Sequence, residues 1–424
     1  MVATLNLDEL KSLLEVTNSK LKDLKKLDLN VDMTRGKPSF EQIRLSRDLL
    51  TNIDADTFDR NPNVFNYGIG DGIHEAKELF ASMLGVSSNE IYVGGNSSLN
   101  LMYDTMLKAM YFGMVDSDRP WMKEDTVKFI CPVPGYDRHF AICESLGIEM
   151  ITVDMTPEGP DMDAVEELVK EDASIKGIWC VPKYSNPDGA IYSKETIERL
   201  ASMETAAKDF KIFYDNAYAV HFLDGEFIEQ ESMLDACKNA DHPNRVIIFA
   251  STSKITFPGA GVGVICANRE SLDYMEKLIA AQSISQDKVN QLRHVLFLKD
   301  FDTLLDHMRE QAAILKPKFD IVLDSLKSTV EDERIATWSE PRGGYFISVD
   351  TYPGCAKKIE EECAKLGLKI TKAGSTYPYY NNPNDNNLRI APSFLGRSDL
   401  VQAMDVFTTV LQKVAIEEII KNEH

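Results

Sequence analysis

Short apolar, β-branched runs punctuate the chain from about position 90 onward, at 91–93, 126–131, 149–153, 176–181, 211–214, 245–250 and 262–266. Between most of them the apolar positions recur at helical spacing, over roughly 98–113, 135–147, 161–171 and 193–209. Strand and helix in alternation predict an α/β fold with a mostly parallel central sheet flanked by helices on both faces. The near-continuous run Gly177-Ile178-Trp179-Cys180-Val181 fits a strand buried on both sides.

The two ends of the chain follow other patterns. Residues 1–30 read as a polar amphipathic helix, followed by a Gly/Pro segment at 34–39 and a loop over 60–74. A helical region spans roughly 270–328 and contains Pro317, which predicts a kink. A smaller α+β portion closes the chain, with strands at 343–350 and 388–394 and helices at 355–366 and 397–421. A chain of 424 residues exceeds one ordinary core. No clean linker divides it, so the expectation is a large domain over 60–310 and a discontinuous small domain from 1–59 and 311–424.

Charge narrows the function classes. With 46 Lys plus Arg against 67 Asp plus Glu, the net charge is −21. Nucleic acid and anionic membrane surfaces both require clustered cations, so neither is an expected partner. No apolar run approaches the ~20 residues of a membrane-spanning helix, and the N-terminus lacks the basic start of a signal peptide. The seven Cys are odd in number and form no C-x-x-C pair, which reads as buried free thiols in a reducing cytoplasm. The seven His show no ligand spacing, so no metal site is expected.

In α/β sheets ligands collect beyond the C-terminal ends of the strands. Four such ends carry candidate chemistry. Ser251-Thr252-Ser253-Lys254 offers an amine in a hydroxyl-rich turn, suited to Schiff-base chemistry, although a loop lysine is the plain alternative. Asp215, with Tyr218 three residues on, is a cation partner or a helix cap. Gly94-Gly95-Asn96-Ser97-Ser98 opens a helix and presents backbone N–H groups to an anion, or simply makes a capped turn. Ser185-Asn186-Pro187-Asp188-Gly189 is strong turn chemistry by itself.

The ordered set is far more specific than its members. Phosphate cradle, then Asn in N-P-x-G, then Asp with Tyr, then S-x-S-K together resemble the fold-type I pyridoxal-phosphate aminotransferases of class I/II. The likeness runs from Gly36-x-Pro38 to Leu388-Arg389-Ile390. T-R-G-K-P-S, G-G-N-S-S-L and S-T-S-K-I-T-F-P-G give it the character of the atypical aspartate aminotransferase branch, related to MocR-type aminotransferase domains.

That resemblance implies a role for each matching residue. Lys254 would hold pyridoxal 5'-phosphate as a Schiff base and shuttle the substrate proton. Asp215 would pair with the pyridine nitrogen, Tyr218 and Asn186 would bond the ring's 3-oxygen, and Tyr136 would stack on the ring. Asn96, Ser97, Ser98, Ser251 and Ser253 would hold the phosphate, joined by Tyr67 from a neighbouring subunit. Arg389 would take the substrate carboxylate as a bidentate pair, with the Gly36 backbone and Asn186 alongside. Arg35 and Arg138 are candidates for a second carboxylate. The implied reaction is ping-pong transamination between an amino acid, expected to be L-aspartate, and a 2-oxo acid, expected to be 2-oxoglutarate, by a homodimer with shared sites.

One departure stands out. Relatives carry an arginine shortly after the Schiff-base lysine, whereas the stretch 255–263 holds no Arg or Lys and has Gly261 at that place. Two rival readings keep the fold: a pyridoxal-phosphate lyase or decarboxylase, and a ligand-sensing domain of a transcription regulator. The short segment before Thr34 and the acidic charge disfavour the regulator.

Overall fold

The computed structural model describes residues 5–330 and 332–423. Among them, eight strands form the central sheet, ordered Ile91–Val93, Gly263–Ala267, Val246–Ser251, Lys211–Asp215, Ile175–Cys180, Lys128–Val133, Glu149–Thr156 and Gly159–Pro160. The five strands from Val246–Ser251 to Glu149–Thr156 run parallel. Gly263–Ala267 runs antiparallel to both neighbours, and so departs from the parallel majority.

Alternate residues of the parallel strands feed two apolar cores. Phe129, Trp179, Phe213 and Phe249 pack on one face, while Ile130, Ile178, Ile212 and Ile248 pack on the other. That is the period-two geometry of a strand buried on both sides. Helices Ser98–Phe112, Asp137–Ser145 and Met162–Glu171 follow the expected positions closely. Side chains start several of them: Ser97 caps Ser98–Phe112, and Asp161 caps Met162–Glu171.

Four local expectations change. The helix expected over 193–209 is Lys194–Ser202 alone. Met203, Ala207 and Phe210 are buried, so their helix-like spacing reflects a packed loop. The region 270–328 resolves into Arg269–Ile279, Lys288–Leu298 and Phe301–Thr329, and the last continues through Pro317. Helix His74–Leu84, ended by Gly85 at φ +67, follows the predicted loop and carries no strong sequence signal. Within 343–350 the strand begins only at Ile347, because the backbone of 342–344 bonds instead to 221–223, with Leu223 N–H on the Arg342 carbonyl at 2.9 Å and Gly344 N–H on that of His221 at 2.8 Å.

At the other end of the molecule, helix Leu7–Leu24 packs on helix Arg397–Glu423, as does Phe301–Thr329. An antiparallel sheet of Ala336–Trp338, Ile347–Thr351 and Asn387–Ile390 lies nearby in the chain, and Val31–Asp32 pairs with Leu368–Lys369. Both chain ends therefore contribute to one α+β layer. All seven cysteines are free and buried. No helix among the described residues is long and apolar enough to cross a membrane.

Candidate active site

Asp215 is the last residue of its strand and is 2% exposed. Its Oδ2 lies 3.0 Å from His139 Nε2, and the His139 ring stacks face to face on Trp179 at 4.2 Å. Asp215 Oδ1 is buried with no partner. A buried carboxylate oxygen is costly to leave unpaired, so one edge of Asp215 is built to receive a donor. A protonated pyridine nitrogen supplies such a donor.

His139 was not among the residues singled out in the sequence. It stands three positions after Tyr136, one helical turn away, and the two rings meet edge to face at 5.0 Å. That spacing was a readable signal once Tyr136 was placed. Tyr136 opens the helix Asp137–Ser145, and burial pushes its phenol up to about 12, so it stays neutral.

Lys254 follows strand Val246–Ser251, and its Nζ stands 4.7 Å from the Tyr218 ring centroid and 5.8 Å from that of Tyr345. Burial, reinforced by Asp215, holds the Tyr218 phenol well above its ordinary value. Tyr345 stacks near Tyr218 at 6.1 Å, and its hydroxyl accepts from Gln42 Nε2 at 2.9 Å. Gln42 Nε2 also donates to Gln311, whose own Nε2 reaches the Ile255 carbonyl at 3.1 Å. The short helix Phe40–Leu45 thereby braces the backbone next to Lys254.

At the expected phosphate end, Ser251 Oγ donates to Ser253 Oγ at 3.1 Å, and Ser253 Oγ reaches the Asn96 carbonyl at 3.5 Å. The Ser97 hydroxyl oxygen accepts from Asn100 N–H as the helix cap. Its O–H stays free to donate, and the backbone N–H groups of Ser97 and Ser98 can serve an anion beside it. A Cβ on Gly261 would lie 2.9 Å from the Asn96 carbonyl and 3.2 Å from Ser253 Oγ. Glycine at 261 therefore keeps a concave cradle open, and a side chain of any kind would enter it. This accounts sterically for the missing arginine.

Arg389 comes from strand Asn387–Ile390, and its Nη1 donates to Asp137 at 2.9 Å and to Asn186 Oδ1 at 3.3 Å. Its guanidinium lies over the Phe346 ring at 4.8 Å, and its Nε is buried without a partner. Gly36 meets the same ring: a Cβ there would be 2.4 Å from Phe346. Asn186, Arg389, Gly36 and Asp137 thus converge, although Asp137 and Phe346 escaped the sequence reading. Arg35 and Arg138 are exposed, and neither side chain has an ion pair or hydrogen bond among the described residues. Tyr67 is 81% exposed and joins none of the clusters above among the described residues. Its loop is pinned by Lys288, which donates to the carbonyls of Asn66 and Gly68 at 2.5 and 2.6 Å.

The residues present fit the cofactor: an unpaired acceptor for the ring nitrogen, an amine, and a cradle that a Cβ would fill. No cluster of metal ligands occurs among the described residues. Comparison with known proteins agrees. Residues 5–423 match the family model described as aspartate amino-transferase. An aspartate aminotransferase of Corynebacterium glutamicum is 44% identical over 400 residues, covering 94% of this chain and 92% of that protein. The crystal structure of an aspartate transaminase from the same organism superposes with a TM-score of 0.94 at 42% identity, over 99% of this chain and 100% of that one. An α-aminoadipate aminotransferase from Thermus thermophilus, solved with N-(5'-phosphopyridoxyl)-L-leucine, shares the fold with a TM-score of 0.74 at 19% identity, over 93% and 95% of the two chains. With that geometry and these relatives, the chain belongs to the aspartate aminotransferase family and is a fold-type I, pyridoxal-phosphate-dependent aminotransferase.

Proposed function

We propose that this enzyme moves an amino group between L-aspartate and 2-oxoglutarate by a ping-pong mechanism. The observation that carries a carboxylate substrate is Arg389, whose buried Nε has no protein partner while Nη1 is held by Asp137 and Asn186. The choice of aspartate rests on the 44% identical relative of that name. When bound, the cofactor supplies an electron sink for the pair left on the substrate Cα.

The chain's own residues supply the rest. Arg389 and the Gly36 backbone orient the substrate carboxylate, and Asn186 keeps the guanidinium in place. Lys254 is the amine that would hold the cofactor and the base that would take the substrate Cα proton and give it back. Asp215 would hold a proton on the ring nitrogen, and His139 holds Asp215. Tyr218 and Asn186 would bond the ring oxygen, while Tyr136 would cover the ring. Asn96, Ser97, Ser98, Ser251 and Ser253 share the phosphate through hydroxyls and backbone donors. Arg35 or Arg138 receives the distal carboxylate, a role supported by their exposure without partners.

The exposed Tyr67 supports a homodimer in which this residue serves the neighbouring site. We assign the large unit to 60–310 and the small one to 1–59 with 311–424, and the enzyme to the cytoplasm. The test is a half-reaction: purified holoenzyme mixed with L-aspartate alone, followed by the absorbance of the bound cofactor. Conversion to the amino form with release of oxaloacetate is expected. No spectral change, or pyruvate and ammonia from one amino acid without a 2-oxo acid, overturns the reading.

A further inference from the structure

Asp215 and Tyr214 are neighbours on one strand, so their side chains leave opposite faces of the sheet. Asp215 serves the cleft. Tyr214 lines a separate cavity of about 560 Å3, between the strand ends, the last turn of helix His74–Leu84 and the segment 227–233. One wall is firmly tied, because Gln230 Nε2 donates to the carbonyls of Pro182 at 3.0 Å and Tyr192 at 3.1 Å.

The polar lining of this cavity is unanswered. Lys183 is 3% exposed, donates to the Ile228 carbonyl and lies over the Phe227 ring at 4.1 Å. Among the described residues no carboxylate pairs with it. Burial pulls its ammonium down to about 8. An ammonium has three donors, and a single protein acceptor meets it here. The Tyr214 hydroxyl and Asn216 Oδ1 are likewise buried without partners. A buried cation with no acid and an unpaired hydroxyl at one cavity describe a place that favours an anionic group, while Asn216 Oδ1, an acceptor, suits a donor on the same ligand. Phe227, Ile248 and Phe301 add apolar surface, and two exposed carboxylates stand at the edge, Glu229 and Glu231, the latter paired with Lys194 at 3.3 Å.

We propose that this cavity is a second ligand site, taking a small carboxylate with an apolar body. Lys183 and Tyr214 receive the carboxylate, and Phe227, Ile248 and Phe301 receive the body. The same chemistry belongs to a free apolar amino acid and to the corresponding acid without an amine. Glu229 at the edge favours the amine-bearing form. Because Tyr214 adjoins Asp215, an occupied cavity touches the strand that carries the cofactor's partner.

The test is calorimetric titration of cofactor-loaded Arg389→Gln protein, which lacks the cleft's carboxylate partner, with L-leucine and with 4-methylpentanoate. One site per chain is expected for at least one probe. Its affinity falls about tenfold or more in an added Lys183→Met change and by a few-fold in an added Tyr214→Phe change. Affinity also declines as pH rises through about 8, where Lys183 loses its charge. Tighter binding of L-leucine assigns the site to amino acids, and equal or tighter binding of 4-methylpentanoate assigns it to simple acids. Tyr214→Phe removes one hydroxyl and keeps the ring, so it remains informative if Lys183→Met fails to fold. No saturable binding of either probe, or binding unaffected by both changes, overturns the proposal.

Discussion

The two ends of the proposed cofactor site are built on different principles. At the ring-nitrogen end a single carboxylate, Asp215, is buried, held by His139 at 3.0 Å, and backed by the Trp179 stack. At the phosphate end no lysine or arginine occurs between 255 and 263, and the cradle consists of hydroxyls, backbone and the space left by Gly261. The contrast follows from the charges served. One buried carboxylate in a low-dielectric setting must be fixed by specific neighbours, since an unmatched charge there is costly. A phosphate spreads its charge over several oxygens near solvent, and many weak donors serve it.

The comparison can be broken at either end. Asp215→Asn is expected to have the largest effect, lowering kcat/KM by about 10²- to 5 × 10³-fold, from the ~3–5 kcal/mol of a broken buried charge pair. Steady-state kinetics with saturated cofactor check it, and an effect under tenfold would dissolve the distinction. Gly261→Ala comes next. Its Cβ would lie 2.9 Å from the Asn96 carbonyl, so cofactor affinity should fall about tenfold with kcat nearly kept once the site is saturated. Spectral titration of the apoenzyme reads this, and unchanged affinity would mean that the phosphate sits elsewhere.

His139→Phe tests the ring end at lower amplitude. The ring-stacking surface survives and one hydrogen bond is lost, so kcat should drop about five- to tenfold, near 1 kcal/mol. Asp137→Asn should act in the opposite direction and least. Asp137 holds Arg389 Nη1 at 2.9 Å and is partly exposed. Weakening that ion pair frees the guanidinium, and KM for the amino acid should fall by up to about fivefold. A raised KM would show that Asp137 orients Arg389 and does not compete for it.

Much of this site was legible in the chain. Lys254, Asp215, Tyr218 and Asn186 each sit at or beyond the end of a central-sheet strand, where topology sends ligands, Arg389 lies within strand Asn387–Ile390 of the smaller sheet, and short motifs mark all five. The residues that brace them were not marked. His139, Trp179, Tyr345, Phe346 and Gln42 look like ordinary core positions, because what distinguishes them is a partner far away in sequence. The Gln42–Tyr345 bond spans 303 positions, and Arg389–Asp137 spans 252. Helix boundaries failed where burial mimicked helical spacing, as at 203–210, and where a helix such as His74–Leu84 had weak flanking signals.

By itself the sequence determined the alternation of elements, the net acidic charge and the candidates for the reactive groups, since these depend on local spacing and residue chemistry. Tertiary structure alone decided which oxygen of Asp215 is left open, which edge of Arg389 is free, and why position 261 excludes a side chain. These are facts about close approach between segments tens to hundreds of residues apart. No local pattern encodes such distances, because packing of the whole sheet and its helices sets them.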